Sequence, residues 1–179
     1  MSEEVIENNG FPWGAMIVYI VILLGSILFQ TLTMEEIPVE GIEDAITFST
    51  MSVVIGGGIG AIGGIIILSI QYAFIRFPTQ WISKEKNVYK YDIWSALFYS
   101  GAIGMAINLL VQQFNVQDNL MVTLLVDVIT TGLFLFFYFS GEEKEPHVKR
   151  AITIVQIAWL VIGIIFAVIS VMLLSNFGI

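Results

Sequence analysis

Five long stretches of this chain carry no charged side chain, or a single one, and only short polar segments separate them. They run over about residues 11–32, 51–75, 93–111, 120–139 and 151–174. Each is close to the roughly 20 apolar residues that a helix needs to cross about 30 Å of hydrocarbon at about 1.5 Å per residue. Nothing constrains the fold more, because a segment inside a bilayer must satisfy its own backbone hydrogen bonds. Composition agrees: 57% of the residues are hydrophobic and only 12% are charged, against about 25% charged in an average soluble domain. The expectation is an all-α, polytopic membrane protein with five transmembrane helices, forming a single integral membrane domain over residues 1–179.

The residue inventory removes several kinds of chemistry. There is no cysteine, so disulfides, thiolate metal sites and cysteine nucleophiles are excluded together, and the one histidine, His147, excludes a multi-histidine metal centre. A net charge of −8 does not suit a nucleic-acid binder, which needs clustered Lys and Arg to meet phosphates. The first nine residues are acidic, with Glu3, Glu4 and Glu7, and lack the positive start and the small-residue cleavage site of a secretory signal. That segment is expected to stay on the protein.

Orientation follows from the basic residues. Arg76, Lys84, Lys86 and Lys90 lie between the second and third stretches, and Lys144, Lys149 and Arg150 between the fourth and fifth. These are all the Lys and Arg residues in the chain. Two loops of the same parity therefore hold all the positive charge. By the positive-inside rule this places the N-terminus in the cytoplasm and the C-terminus outside. The acidic loop after the first stretch, with Glu35, Glu36, Glu40, Glu43 and Asp44 around Pro38 and Gly41, then lies outside.

Packing in lipid depends on close backbone approach and on hydrogen bonds between helices. Gly56, Gly60 and Gly64 recur every four residues on the second helix, widened by Gly57, Gly58 and Gly63. This stripe suits tight packing within the chain, a homodimer contact or a hinge. Pro78 is expected to end the helix. The third helix carries a stripe of Ala96, Ser100, Gly104, Asn108 and Gln112, whose amides must face protein or a wet cavity. The fourth carries Asp127, the one acid inside an apolar stretch, with Thr123 and Thr131 on the same face and Thr130 beside it. No basic residue in any apolar stretch can pair with Asp127, so it is expected to be neutral, or hydrogen-bonded to neighbours such as Asn108 or Thr131. An intramembrane carboxyl is a candidate proton, cation or partner site as well as a structural one. Gln156, Gly163, Ala167 and Ser170 make a small and polar face on the fifth helix.

Catalytic patterns fail one by one. His147 sits beside Pro146 in a charged loop with no nearby serine, and Glu142–Glu143 lacks the arginine and later histidines of an intramembrane glutamate protease motif. Gly58, Gly60 and Gly63 match G-x-G-x-x-G, but inside a membrane span and with no Lys or Ser/Thr after it to meet a phosphate. The acidic loop has no EF-hand spacing and is expected to be a solvated charged loop. The basic segment 76–90 interleaves Phe77, Trp81, Tyr89 and Tyr91 with its cations, which suits an interfacial stretch against anionic headgroups. No catalytic residue, metal site or cofactor is expected.

The layout resembles the Yip1 domain family. The points of likeness are five spans, an acidic proline-bearing loop after the first helix, and a Gly-rich second helix. A basic segment with aromatic residues, Ser83-Lys84-Glu85-Lys86-Asn87-Val88-Tyr89-Lys90-Tyr91, then leads into the third helix. The resemblance implies a non-enzymatic protein. Eukaryotic members act in trafficking with small GTPases, and some bacterial members are accessory to ABC-type exporters that protect against antimicrobial peptides.

The expected function is therefore an accessory or assembly subunit of a membrane complex. The expected surroundings are the lipid bilayer and a membrane-protein partner or a second copy, with no nucleic acid. Arg76, Lys84, Lys86, Lys90 and the Gly56/Gly60/Gly64 face are the candidate contacts. The alternative is a transporter or channel component with a polar path through Asn108, Gln112, Asp127 and Thr131. The absence of cysteine and the small loops point to a bacterial cytoplasmic membrane.

Overall fold

The computed structural model describes residues 10–33, 45–116 and 119–177. The N-terminal acidic segment and the acidic loop, including Glu35, Glu36, Glu40, Glu43 and Asp44, lie outside the described residues. Five helices are present: α1 (Trp13–Thr33), α2 (Ala45–Ser83), α3 (Lys90–Gln113), α4 (Leu120–Ser140) and α5 (Pro146–Phe177). The described residues form no strand, and all five helices are long and apolar enough to cross a membrane.

The helices pack as a ring in which α2 meets α3, α3 meets α4, α4 meets α5 and α5 returns to α2, with α1 laid against α2 and α3. Both basic loops close the same end of this ring. Tyr138, near the end of α4, donates its hydroxyl to the Val88 carbonyl just before α3 (3.2 Å). Lys144, between α4 and α5, pairs with Asp92 in the first turn of α3. The start of α1 is at this end too, where Phe11 meets Trp94 and Phe98 with ring centroids 5.9 and 6.0 Å apart. We call it the basic end.

Local chemistry explains most helix boundaries. Asn119 caps α4 by accepting from the Met121 amide (2.9 Å). Pro146 opens α5, where its missing N–H is no loss. This brings the α5 start forward to 146, so His147, Lys149 and Arg150 ride on its first two turns rather than in a loop. Lys84 ends α2 in the left-handed region, at φ 59°.

The structure corrects one expectation here. Pro78 does not end α2, which continues to Ser83. A proline inside a helix leaves the carbonyl four residues earlier without its donor. That carbonyl belongs to Phe74, and the indole N–H of Trp159 on α5 donates to it at 3.2 Å. The two rings also meet edge to face at 5.1 Å. The orphan group that Pro78 creates is thus satisfied from the neighbouring helix, and the break becomes a tie between α2 and α5.

The buried core lies toward the basic end. On α3 it comprises Ile93, Ala96, Leu97, Phe98, Ser100, Ala102 and Gly104, all before the helix midpoint or near it. On α5 it comprises Ala151, Ile152, Val155 and Gln156, and Phe134 and Tyr138 supply it from the last part of α4. Aromatic stacking thickens it, with Tyr72 on Trp94 at 4.6 Å and Trp94 on Phe98 at 5.4 Å.

Candidate functional site: a polar cavity within the helix ring

A cavity of about 440 Å³ opens between α2, α3, α4 and α5, just beyond the packed core, with Tyr19 of α1 reaching its wall. The volume falls in the range of small-molecule sites, roughly 300–1,000 Å³. Its polar groups are Gln71, Ser100, Asn108, Thr130, Thr131 and Gln156, and no charged side chain lines it. Helix periodicity brings them together. Ser100, Gly104 and Asn108 follow one another at four-residue spacing on α3, and Thr130, Thr131 and Phe134 share one face of α4.

The hydroxyls and the amides behave differently. Ser100 donates to the Ala96 carbonyl (2.6 Å) and Thr130 to the Val126 carbonyl (2.9 Å), so each spends its proton within its own helix. Gln71, Asn108 and Gln156 have no protein hydrogen-bond partner among the described residues. Gln156 is buried, at 7% exposure, and its Nε2 is a buried donor without an acceptor. Gln71 and Asn108 are exposed on helices that otherwise present apolar surface. An unpaired amide in hydrocarbon is unfavourable by several kcal/mol on the strictest transfer scale (about 4–8 from water to cyclohexane). Two of the three, Gln71 and Asn108, are exposed beside the cavity, and the Gln156 donor is enclosed in its wall.

The sequence candidates separate cleanly. Asn108 and Thr131 line the cavity, and Gln71 and Gln156 join them. Gln112 does not; it accepts from Gln30 of α1 at 3.4 Å, on the exposed surface beyond. Asp127, half-buried and one turn outward of Thr130 and Thr131, is not part of the lining. The expected bond from Asp127 to Asn108 or Thr131 is absent: its carboxyl has no hydrogen-bond partner among the described residues. The shared face was legible from spacing, but which helix faces which was not.

The glycine stripe divides in the same way. A Cβ at Gly60 would meet Ile27 at 2.9 Å, and one at Gly64 would meet the Tyr19 hydroxyl at 2.9 Å and Leu23 at 3.2 Å. These two positions are closed by α1, which removes them as a surface for a partner. Gly56 has nothing within 4 Å among the described residues. Gly104 is a true packing position, since a Cβ there would meet Thr130 at 2.9 Å.

A polar cluster at the basic end was not singled out from the sequence. Lys144 is buried, and its ammonium lies 2.6 Å from Asp92, 2.8 Å from the Glu142 carbonyl and over the rings of Tyr138 (4.6 Å) and Tyr89 (5.1 Å). Burial, reinforced by the Glu145 and Glu142 carboxylates, holds the Tyr89 phenol above its ordinary value. A Cβ at Gly141 would lie 2.6 Å from the Asp92 carboxylate, so glycine is required for the close approach. The signal available in the sequence was Asp92 itself, a charge two residues into a helix that hydropathy alone begins at residue 93.

The other basic residues stay at the surface. Lys84, Lys86 and Lys90 are exposed, the first two near Phe77 and Trp81, which is 87% exposed, and the third over the Tyr91 ring at 4.6 Å. Arg76 folds back, donating to the Tyr72 hydroxyl at 3.1 Å. Among the described residues one trio could offer three ligand atoms to a metal: Glu85, Glu145 and His147, all exposed. The imidazole Nε2 lies 3.1 Å from Glu145 and 3.4 Å from Glu85, which is a surface ion-pair geometry joining the two basic loops.

The fold and site define a class: a five-helix chain built to cross a bilayer, with an uncharged polar cavity inside the ring. Comparison with family models, with curated proteins and with solved structures finds no match.

Proposed function

We propose that this is a non-enzymatic, multi-pass protein of a cell membrane, with its basic end in the cytoplasm. Its working element is the cavity, which holds a small uncharged molecule as part of a membrane transport assembly. The observation that carries this reading is the convergence of Gln71, Asn108 and Gln156 on one cavity with no protein partner for any of them. The amides of Gln71 and Asn108, exposed beside the cavity, are available to a guest, and the absence of charge in the lining selects a neutral one. Native mass spectrometry of protein extracted in mild detergent tests it. The wild type is expected to carry a small adduct, and the Asn108→Leu/Gln156→Leu protein to lack it. A bare wild-type chain would refute the reading.

A second reading, the accessory subunit that the Yip1 resemblance implies, has its own support. Gly56, Gly58 and Gly63 of α2 have nothing within 4 Å among the described residues, which leaves part of the glycine-rich surface for another helix. Co-purification from the native membrane with the wild type, lost with Gly56→Leu, would favour it. Orientation is checked separately. The chain has no cysteine, so a single cysteine at Glu143 reports its side to an impermeant thiol reagent, and labelling from outside intact cells would reverse the assignment.

A further inference from the structure

We propose that the basic end carries a binding site for one anionic phospholipid, with its phosphate held by Lys84 and Lys86 and its acyl chains laid along α2. The proposal does not depend on the cavity reading. Three observations carry it.

The first is an apolar strip that ends beside cations. Ile66, Ile70, Phe74, Phe77 and Trp81 follow one another on one side of α2, and each is more than half exposed. All five lie within Ile55–Ser83, the part of α2 apolar enough to cross a membrane, with Trp81 in its last turn. A tryptophan at such a boundary sits at the level of the headgroups.

The second is the groove at the foot of this strip. It encloses about 590 Å³ between Phe77, Pro78 and Trp81 of α2 and Lys84 and Lys86 of the loop that follows. Specific bonds fold that loop back on the helix. Gln80 donates from Nε2 to the Lys86 carbonyl (2.6 Å), and the Ser83 hydroxyl accepts from the Glu85 amide (3.3 Å). The two lysines are therefore presented from a backbone held against α2.

The third is charge. Lys144 is paired with Asp92 and Arg76 is bonded to Tyr72, but neither the Lys84 nor the Lys86 ammonium has an ion-pair or hydrogen-bond partner among the described residues. Glu85 also borders the groove, and its carboxylate lies 3.4 Å from the His147 imidazole of α5. Two ammonium groups against one carboxylate leave a single net positive charge, the complement of a phosphodiester headgroup with one negative charge. A soluble phosphate would use the groove and leave the strip bare. A phospholipid occupies both.

The test uses the whole chain in nanodiscs of dioleoyl phosphatidylcholine with a minor fraction of dioleoyl phosphatidylglycerol. Native mass spectrometry counts the lipids that stay bound on release from the disc. Phosphatidylglycerol is expected to be retained above its bulk fraction. Lys84→Gln and Lys86→Gln should each lower that enrichment roughly fivefold, the attraction of one lysine to an anionic membrane surface. Trp81→Ser, at an exposed position, should lower it as well. Lys90→Gln is the control for diffuse charge, because this ammonium lies over the Tyr91 ring and outside the groove, and it should leave retention unchanged. No enrichment over phosphatidylcholine, or indifference to both groove lysines, overturns the proposal. An equal loss in Lys90→Gln overturns it too, since the whole basic surface would then be attracting lipid. Glycerophosphoglycerol, the same headgroup without acyl chains, should not displace the lipid when added in excess, and displacement overturns the lipid assignment. The cavity variant Asn108→Leu/Gln156→Leu should keep its phosphatidylglycerol in full. Loss there would place the lipid in the cavity and overturn the groove.

Discussion

The half of the molecule at the basic end and the half away from it use the same helices in opposite ways. At the basic end polar groups are consumed. Lys144 meets Asp92, two tyrosine rings and a carbonyl, Tyr138 meets Val88, and Trp159 takes the carbonyl released by Pro78. Away from it polar groups are displayed, with the exposed amides of Gln71 and Asn108 beside a cavity, and Gly56, Gly58, Gly63 and Gly163 have nothing within 4 Å among the described residues. Hydrophobicity cannot drive this difference, because lipid is as apolar as the helix surface. What holds one half together is satisfied hydrogen bonds and close contact. What the other half lacks is the same thing. Substitutions can be chosen to break either side of this difference.

The largest expected effect is at the base. Lys144→Met removes the cation from a buried pair and leaves Asp92 facing two aromatic rings. Breaking a buried pair from one side is destabilising by about 3–5 kcal/mol, and the partial exposure of Asp92, 21%, puts the expectation at the lower end of that range. Replacing both members, as Asp92→Leu/Lys144→Met, should recover most of the loss, because an apolar pair of similar volume has no charge to desolvate. Thermal unfolding of the purified chains in one detergent measures it. A double variant as unstable as the single one would mean that the aromatic cage, and not the ion pair, sets the geometry. Gly141→Ala should mimic the single variant more weakly, since the added methyl displaces the Asp92 carboxylate.

This contrast also explains what could be read from the chain. Five crossings were legible because apolar length is a local property, and the observed helices extend the expected stretches at most boundaries by a few residues. The exceptions are instructive. Hydropathy stops at the last apolar residue, but α3 and α5 begin earlier, at Lys90 and Pro146, because charged residues in a first turn can be helical when they are outside lipid. Pro78 was read as a terminus because its local effect is to break a helix. The compensating donor, Trp159, is 81 residues away and no spacing rule joins them. Asn108 and Thr131 were legible as polar membrane residues, yet spacing along one helix does not say which neighbour it faces. Hence spacing alone does not show that Gln71 lines the cavity and that Asp127 stands outside its lining.

An intermediate effect separates two glycines of one stripe. Gly60→Leu drives a large side chain into Ile27 of α1 and should destabilise the chain by about 1–3 kcal/mol, as overpacking does. Gly56→Leu, one turn earlier and with nothing within 4 Å among the described residues, should leave the isolated chain unchanged within about 0.5 kcal/mol. The same unfolding measurement compares them. Equal losses would mean that α1 covers the whole stripe, and the surface proposed for a partner helix would vanish.

The smallest effect, and the one that bears most directly on the cavity, changes sign with occupancy. In protein stripped of bound molecules by extensive detergent washing, Asn108→Leu removes an amide that has no protein partner and should be neutral or stabilising by up to about 1 kcal/mol. In protein prepared without washing, the same substitution should lower the unfolding temperature, because a guest that binds only the folded state stabilises it in proportion to its affinity. Removing a polar group at the base, by contrast, should be destabilising in both preparations, since Lys144 is already paired. The comparison needs only two preparations and two variants. If Asn108→Leu were destabilising to the same degree in both, its amide would be a structural group with a partner inside the protein. The open half would then be packed like the base, with no hydrogen bonds left for a guest.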